Sequence, residues 1–318
     1  MALGLEDLAI GHWADPAALT GCTVVIPPAG NVASVAVRGG GPGTRETDVL
    51  DPRSHLQGAS AFLLTGGSAF GLAAASGVVD WCEAKGIGYG RFGPPIPIVP
   101  GAVIFDLAVG DWDTRPGPAE GRAACDQASV DDGPMGNVGA GMGATVGKTA
   151  GPDFAMKGGL GWAVATAGPV TVGALAVVNA GGDVLGEDGR VLAGTRYEGG
   201  ARAAMRQWIS GDPPGMPPAP VPPGGNTTLG LIAANAELDK ADMHRVAVQA
   251  HDGMARAISP VHTSFDGDTV FAVTVGRVEA RVDLVAFLAE EALAGAIRAG
   301  VLAAEPVAGI PAAGPAER

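Results

Sequence analysis

A layered α/β fold, in which helices cover β-sheets, is predicted by three features of the sequence. Apolar runs of strand length alternate with longer segments whose apolar residues recur at helical spacing, as in sheets packed beneath helices. Hydrophobic residues make up 47% of the 318 positions, enough for one large domain or two smaller ones. Only 5% of residues are aromatic and 52 are glycine, so we expect small aliphatic side chains to pack with close backbone approach.

The charge of the chain, its first residues and its cysteines limit the partners, location and cofactors that we expect. The net charge of −13 and the pI near 4.7 oppose binding to nucleic acid or to an anionic membrane, so a small-molecule or peptide partner is predicted. The first residues carry no basic segment and no apolar stretch approaches 18 residues, which predicts a soluble cytoplasmic protein. The three cysteines lack metal-ligand spacing, so we expect no disulfide framework, no metal and no cofactor.

In the first part of the chain, β-branched runs and glycines predict several strands and one helix. The helix is predicted from the Gly66-Gly67 pair to Lys85, and Ser68 at its start is interpreted as a cap rather than as a nucleophile. The Pro-Pro-Ala-Gly-Asn stretch between the first two apolar runs predicts a hairpin. The strands of this part are predicted at residues 23–26, 32–37, 61–64 and 102–107.

A glycine-rich segment at residues 137–151 is compared with two phosphate-binding motifs and matches neither. The P-loop motif requires glycine where Met142 stands. The dinucleotide motif requires glycine three positions after Gly143, whereas the next glycine is Gly147, one position too late. The segment therefore predicts no nucleotide site, but it leaves Lys148 among glycines that permit close backbone approach to a ligand.

The second part of the chain alternates strands with helices on either side of a proline-rich segment. This segment, at residues 211–223, is predicted to be an exposed linker, because proline fixes φ and removes a backbone donor. Asp239 is the expected N-cap of a helix with one apolar face, and the tail at 306–318 is expected to fray. Strands are predicted at residues 158–167, 171–178, 229–236 and 269–275, and helices at 202–208, 239–258 and 284–300.

The Gly225-Asn226-Thr227-Thr228 stretch joins the proline-rich segment to a buried strand and has three interpretations. Gly-Asn is an ordinary turn pair, and Asn-Thr-Thr is a glycosylation sequon, an interpretation that loses weight in a cytoplasmic protein. The third interpretation is a cut site, because a threonine released as a new N-terminus carries a hydroxyl nucleophile beside its own α-amino base. The ordinary pKa of that amine, about 8, lies close to neutral pH.

Five segments spread over most of the chain carry a further signal. They are LTGGSAFGL at residues 64–72, PGAVIFDL at 100–107, GAGMGATVGK at 139–148, GGNTTLGLIAANA at 224–236 and PVHTSFDGDTVFAV at 260–273. Together they resemble the DmpA-type L-aminopeptidase/D-esterase family, a family of autoprocessing peptidases that includes β-aminopeptidases and nylon-oligomer hydrolases. Each segment alone is a weak signal, but their number and order make the match specific.

The resemblance implies an αββα four-layer sandwich of the DmpA type, with two sheets packed between helix layers in a single structural domain over residues 1–318. Proteins of this family are made as one chain, cut themselves before a Ser or Thr, and are usually assembled into tetramers. The resemblance makes Thr227 the nucleophile and Asn226 the last residue of a large subunit 1–226, which is followed by a small subunit 227–318. A threonine at this position is more similar to the nylon-oligomer hydrolases than to the serine-type aminopeptidases.

Four further residues match the site of the family. Lys148 matches a lysine beside the nucleophile, and it can take the hydroxyl proton or support an oxyanion as a cation. Asn179 matches an asparagine that lines the site and can donate to the nucleophile or to the tetrahedral oxygen. Asp266 and Asp268 match an acidic pair that can hold ammonium groups. From the residues alone, these side chains are equally explained by a solvated lysine, a turn asparagine and an Asp-Gly-Asp hairpin.

The substrate side of the site is predicted from fewer residues. Phe105 and Gly143 are expected to line the pocket, and Phe105 stands where well-studied aminopeptidases of the family carry a tyrosine, so its ring cannot donate to an oxyanion. His251 and His262 have no Gly-x-Ser-x-Gly elbow beside them and are interpreted as structural. The hypothesis is a self-processing N-terminal-threonine amidohydrolase acting on small peptides, amino-acid amides or linear oligoamides. The alternatives are an unprocessed binding protein of the same fold and an acyltransferase that uses the same nucleophile.

Overall fold

The structure is a computed structural model that describes residues 1–90, 93–210 and 225–313. Helices separate runs of strands along these ranges, and the predicted alternation of strand and helix holds only for part of the chain. The strands are β1 (Ala9–Asp15), β2 (Thr20–Ile26), β3 (Val32–Val37), β4 (Thr44–Arg45), β5 (Phe62–Thr65), β6 (Gly101–Val103), β7 (Thr145–Val146), β8 (Met156–Lys157), β9 (Gly159–Ala167), β10 (Val170–Asn179), β11 (Asp183–Leu185), β12 (Val191–Ala193), β13 (Thr227–Glu237), β14 (Ile258–Ser259) and β15 (Thr269–Glu279). The helices are α1 (Ser68–Gly71), α2 (Ala74–Ala84), α3 (Pro118–Asp126), α4 (Gly200–Ser210), α5 (Lys240–Ala257) and α6 (Val282–Leu302).

Two five-stranded sheets form the centre of the fold. The first sheet has the strand order β1-β2-β5-β6-β4, and the second sheet has the order β3-β15-β13-β10-β9. In the second sheet, β13 runs antiparallel to β10 and parallel to β15. The end of β10 and the starts of β13 and β15 therefore meet at one edge of this sheet, which we call the site edge.

Three apolar clusters stack these elements into four layers. The inner cluster joins the two sheets and includes Phe62 and Leu64 from the first sheet and Leu175 and Leu231 from the second. A second cluster packs the other face of the second sheet against α5 and α6, and a third packs the first sheet against α2 and α3. The order helix, sheet, sheet, helix confirms the predicted αββα sandwich.

Alternation along the strands explains why those of the second sheet are continuous apolar runs. In β10, Leu175 belongs to the cluster between the sheets, whereas its neighbours Ala174 and Ala176 belong to the cluster with the helices. Both faces are buried, so both sets of side chains are apolar. In the neighbouring strand β9, Gly161 lies against α6, where a Cβ would be 2.2 Å from the carbonyl oxygen of Ala296.

Helix α5 begins where its sequence predicts. The Asp239 side chain accepts the backbone N–H of Asp242 at 2.9 Å, an N-cap that stabilises a helix by about 1 kcal/mol. Its apolar face, with Met243, Ala247 and Met254, is buried against the second sheet. The predicted N-cap is confirmed, and the helix ends at Ala257, one residue before its predicted end.

The predicted hairpin at residues 23–37 is wrong, although both of its strands exist. Strand β2 pairs with β1 and β5 in the first sheet, whereas β3 pairs with β15 in the second. The Pro27-Pro28 pair therefore carries the chain from one sheet to the other. Local turn residues mark where a strand ends, but they do not determine which distant strand the next one pairs with.

Two other predicted elements are shorter or broken in the structure. The strand predicted at 102–107 ends at Val103, after which the Asp106 carboxyl group accepts hydrogen bonds from Thr20 Oγ1 and the backbone N–H of Gly67. The predicted helix from Ser68 to Lys85 is divided into α1 and α2. Gly67 occupies the N-cap position of α1, and Ser68 makes no side-chain cap there, so the interpretation of Ser68 as a cap is wrong.

The described part of the C-terminal tail is docked rather than frayed. The backbone N–H of Lys157 donates to the carbonyl of Pro311 at 2.7 Å, and Ala313 is buried. The tail prediction is therefore wrong for residues 306–313. The predicted linker at 211–223 lies outside the described residues. Within the ranges that the structure describes, no helix combines the length and apolarity needed to cross a membrane.

Candidate active site

Strand register brings the predicted site residues together at the site edge. In the antiparallel pairing of β10 with β13, Asn179 lies opposite Thr227. On the other side of β13, Asn226 forms a parallel bridge with Asp266, just before β15. Residues that are far apart in sequence are therefore held around one peptide bond, between Asn226 and Thr227. Each of these side chains is buried.

The peptide group between Asn226 and Thr227 is held in an arrangement suited to attack by the neighbouring hydroxyl. Thr227 Oγ1 donates a hydrogen bond to the carbonyl oxygen of Asn226. The same oxygen accepts the backbone N–H of Gly267 at 2.9 Å, a donor placed where negative charge would develop during attack. Position 267 requires glycine, because a Cβ there would lie 2.6 Å from Thr227 Oγ1.

Lys148 is buried beside this peptide group, which excludes the solvated interpretation. It begins a short 3₁₀ helix, Lys148–Ala150, directly after Gly147. Its Nζ lies 2.7 Å from Asn179 Oδ1, 3.0 Å from the Asn179 carbonyl oxygen and 3.2 Å from the Gly225 carbonyl oxygen. Burial lowers the pKa of Lys148 from 10.5 to about 7, against a smaller raising effect of the nearby Asp266 charge. A substantial fraction of this lysine is therefore neutral near pH 7.

Asn179 connects the lysine to the segment before Asp106. Its Oδ1 accepts from Lys148 Nζ and from the backbone N–H of Thr145 at 3.0 Å. Its Nδ2 donates to the carbonyl oxygen of Phe105 at 3.2 Å. The amide group of Asn179 therefore orients Lys148 and is itself held in place by main-chain groups.

The two predicted aspartates have different partners: Asp268 holds the backbone just after Thr227, whereas Asp266 holds Thr263. Asp268 Oδ1 accepts the backbone N–H of Thr228 at 2.7 Å. Asp266 Oδ2 accepts the backbone N–H of Thr263 at 2.7 Å and its hydroxyl at 2.6 Å. Burial and the neighbouring Asp268 raise the pKa of Asp266 to about 6. The Asp-Gly-Asp sequence therefore contributes two carboxyl groups and a backbone donor to one site, beyond what a plain hairpin would supply.

The two predicted pocket residues are placed differently from each other. The ring of Phe105 is half-buried and packs edge-on against Trp112, with ring centroids 6.0 Å apart, while its carbonyl contacts Asn179. Gly143 is buried where a Cβ would lie 2.2 Å from the carbonyl oxygen of Leu19. Phe105 thus reaches the site through a main-chain group that any residue supplies, and Gly143 permits close packing of two backbone segments.

Three residues near the site were not assigned to it from the sequence. Asp106 is buried and accepts from Thr20 Oγ1 at 2.8 Å, and burial raises its pKa while its charge acts on Lys148. Lys157 is fully buried and donates to three backbone carbonyl groups. Two of them, those of Gly141 and Ala144, belong to the segment before Lys148. His262 contacts Asp268. A lone carboxyl group in an apolar run was a usable signal for Asp106, whereas the sequence around Lys157 offered none.

No metal is required to explain these contacts. Among the residues described, no three His, Cys, Asp or Glu side chains are grouped so that they could hold a metal ion. The predicted lack of a metal or cofactor stays a prediction.

Comparison with known proteins identifies relatives over nearly the full chain. Residues 4–313 match Peptidase family S58. An uncharacterized aminopeptidase of Mycobacterium bovis is 44% identical over 333 residues, covering 95% of this chain and 93% of that protein. A 6-aminohexanoate-oligomer endohydrolase of Paenarthrobacter ureafaciens is 33% identical over 263 residues, covering 82% of this chain and 70% of that protein.

Two solved structures share the fold at low sequence identity. A Burkholderia sp. beta-aminopeptidase superposes with a TM-score of 0.74 at 19% identity, covering 99% of this chain and 90% of that one. An L-aminopeptidase D-Ala-esterase/amidase from Ochrobactrum anthropi, described as a variant of the Ntn hydrolase fold, gives a TM-score of 0.70 at 20% identity, covering 97% and 87%. These likenesses establish the four-layer fold, and the sequence matches establish the family. The chain is a hydrolase, and it belongs to peptidase family S58, the DmpA-type family that its motifs resemble.

Proposed function

We propose that this hydrolase cuts its own chain between Asn226 and Thr227 and then uses Thr227 as an N-terminal nucleophile against small amide substrates. The observation that carries the proposal is the geometry at the scissile peptide. The Thr227 hydroxyl contacts the Asn226 carbonyl, and the same carbonyl oxygen accepts the Gly267 N–H. Attacking group, target and oxyanion donor are thus already assembled.

Self-cleavage begins with attack of Thr227 Oγ1 on the carbonyl carbon of Asn226. The hydroxyl proton passes to a base, and the tetrahedral oxygen is stabilised by the N–H of Gly267. The C–N bond then breaks, the Thr227 nitrogen takes a proton and leaves as an amine, and Asn226 is joined to Thr227 Oγ1 as an ester. Water hydrolyses this ester, which releases the Asn226 carboxylate and regenerates the hydroxyl. The products are residues 1–226 and 227–318.

Lys148 is the base that supports this first step. Before cleavage, the nitrogen of Thr227 belongs to a peptide bond and has no basic lone pair, so the α-amino group is not yet available as a base. Lys148 has a pKa lowered to about 7 by burial, and it lies against the Gly225 carbonyl, two residues before the nucleophile. After cleavage, the free α-amino group of Thr227 is a second base within reach of its own hydroxyl.

Cleavage also explains how a substrate gains access to the nucleophile. In the uncut chain, Thr227 is only 2% exposed, and the Asn226 peptide group occupies the position that a substrate amide would take. Departure of Asn226 vacates that position and leaves the Gly267 N–H unpaired for a substrate carbonyl. The enzyme is therefore proposed to hydrolyse amides through an acyl-enzyme on Thr227.

The substrate class is proposed from the named relatives together with the site. Those relatives are called aminopeptidases and 6-aminohexanoate-oligomer endohydrolases. We propose small peptides, amino-acid amides and linear oligoamides as substrates, and an assay with L-amino-acid amides, β-amino-acid amides and 6-aminohexanoate oligomers separates them. Acyl transfer to an amine would appear in the same assay as a hydroxamate product when hydroxylamine is added. A homotetramer and a cytoplasmic location stay predictions.

Intact-mass analysis of the purified protein tests the proposal. The expected result is two fragments that begin at Met1 and Thr227, and Thr227→Ala is expected to leave one intact chain because it removes the nucleophile. Thr227→Ser is the matched control, since it keeps a hydroxyl at the same position and should still cleave. A wild-type chain that remains full-length and hydrolyses no amide would refute the proposal and leave a binding protein of the same fold.

A further inference from the structure

His262 makes two contacts with one oxygen of Asp268. Its ring Nδ1 lies 2.7 Å from Asp268 Oδ2, and its backbone N–H donates to the same oxygen at 3.1 Å. The Asp268 side chain is 1% exposed and that of His262 is 18% exposed, so the pair is shielded from water. The backbone of His262 has a φ of 54°, a conformation that residues other than glycine rarely adopt. This conformation lets the ring and the N–H of one residue meet the same carboxyl oxygen.

The other oxygen of Asp268 holds the backbone beside the proposed nucleophile. Asp268 Oδ1 accepts the N–H of Thr228 at 2.7 Å, and Thr228 follows Thr227 directly. The carbonyl oxygen of Asp268 is also fixed, because it accepts the N–H of Arg38 at 3.0 Å. A continuous path of hydrogen bonds therefore runs from His262 through the Asp268 carboxyl group to the first peptide of β13.

A second histidine, His251, packs against the His262 ring. His251 packs edge-on against it with ring centroids 4.8 Å apart, and His251 Nε2 is anchored 3.1 Å from the carbonyl oxygen of Ala36. Burial lowers the pKa of His251 to about 4, so this neighbour is neutral at pH 7. Since a carboxylate oxygen only accepts, His262 carries its proton on Nδ1, and its buried Nε2 has no hydrogen-bond partner among the described residues.

From these contacts we infer that His262 is a positioning residue for the Thr227 nucleophile and acts through Asp268. Its Nδ1–H fixes Oδ2 of Asp268, so that Oδ1 holds the Thr228 N–H and keeps the Thr227 hydroxyl against the Asn226 carbonyl. Among the described residues, His262 has no hydrogen bond to Thr227 or Asn226, so its effect on them passes through Asp268. Outer hydrogen-bond partners of this kind orient the groups that react. The inference rests on the proposed self-cleavage.

Two substitutions at position 262 separate the effect of the side-chain hydrogen bond from the effect of the positive φ. His262→Asn places an amide N–H donor as many bonds from the backbone as Nδ1 of histidine, and asparagine tolerates a positive φ. His262→Gly tolerates the same φ but has no side-chain donor. We expect the asparagine variant to cleave its chain within about threefold of the wild-type rate, and the glycine variant to cleave at least about tenfold more slowly, the scale of one lost hydrogen bond to a charged group. Circular dichroism and thermal unfolding verify that both variants are folded.

A second measurement decides the inference independently of cleavage. In the Thr227→Ala chain, which stays intact, amide hydrogen exchange of Thr228 is followed by NMR with histidine, asparagine or glycine at position 262. Exchange should accelerate with glycine and stay near the histidine rate with asparagine. Equal cleavage rates and equal Thr228 exchange in the two folded variants would overturn the inference, as would equal losses in both. A wild-type chain that never cleaves would refute the proposed function, while the exchange measurement would still decide the role of His262.

Discussion

Lys148 and Lys157 are buried to a similar depth in this molecule, but they are surrounded by different groups. Burial lowers the pKa of each from 10.5 to about 7. Lys157 donates to the carbonyl oxygens of Gly141, Ala144 and Gly158 at 2.9, 2.9 and 3.1 Å, and none of these groups takes part in the proposed reaction. Lys148 donates to Asn179 and to the Gly225 carbonyl beside the proposed cut site.

The comparison shows that burial and a lowered pKa do not by themselves identify a catalytic lysine. An ammonium group has three N–H donors, and at Lys157 each one has a backbone carbonyl as its partner. Two of these carbonyls also accept a backbone N–H, the Gly141 oxygen from Ala144 at 3.3 Å and the Ala144 oxygen from Gly158 at 2.9 Å. At Lys148, the closest acceptor, Asn179 Oδ1, likewise receives the N–H of Thr145. The two amines are therefore alike in hydrogen bonding, and what distinguishes Lys148 is its contact with Gly225, two residues before the proposed nucleophile.

The largest expected effect is the loss of self-cleavage when Lys148 is replaced. Lys148→Met keeps the unbranched side chain up to the position of Cε but removes the base, and we expect cleavage to slow by about 1,000-fold, or about 4 kcal/mol of activation free energy. Lys148→Arg retains the charge but does not deprotonate. Time courses on denaturing gels measure both rates. Full activity in the arginine variant would show that Lys148 acts as a cation and not as the base.

Lys157→Met should affect stability far more than chemistry. Three buried hydrogen bonds to backbone carbonyl groups are lost, so we expect the free energy of unfolding to fall by about 3 kcal/mol, with cleavage within about tenfold of wild type. Urea unfolding in the Thr227→Ala background measures this loss on an intact chain. The roles proposed for the two lysines would be contradicted if the folded Lys157 variant did not cleave while the Lys148 variant did.

The pH dependence of self-cleavage is the smallest of these effects and the most specific. Because the pKa of Lys148 is lowered to about 7, its neutral form increases as pH rises through 7. We expect the cleavage rate to rise about tenfold per pH unit below 7 and to level off above it. Asp106→Asn removes a charge that raises this pKa and should shift the midpoint to lower pH. Freshly refolded precursor at a series of pH values provides the rates, and a flat profile would contradict a lysine base.

The same two lysines set a pH dependence of stability with a defined sign. Between about pH 7 and 10.5, the unfolded chain binds protons at these positions that the folded chain does not. The free energy of unfolding is therefore expected to rise with pH across that window. Each methionine variant should flatten part of this rise, which urea unfolding in the Thr227→Ala background at a series of pH values measures.

Elements with local signals were predicted well. Helix α5 was found from its apolar face and its Asp239 cap, both of which are encoded within a few residues. The β2 and β3 strands were found too, but their pairing was not, because strand partners are chosen by contacts between distant segments. The site residues came from motif resemblance, and the structure places them around one peptide bond. Lys157 had no local signal at all, since a buried lysine and an exposed one look the same in sequence.

The sequence by itself determined the composition of the core, part of the alternation of strands and helices and the set of groups able to perform amide chemistry. Those properties depend on residue type and on the spacing of residues that are close together in the sequence. Only the tertiary structure decided that β13 lies between β10 and β15, which places Asn179 opposite Thr227 and the Gly267 N–H on the Asn226 carbonyl. It also decided that Lys148 donates to Asn179 and Gly225, beside the proposed cut site, and Lys157 to a set of backbone carbonyls. Partners and pKa values depend on which distant groups become neighbours when water is excluded.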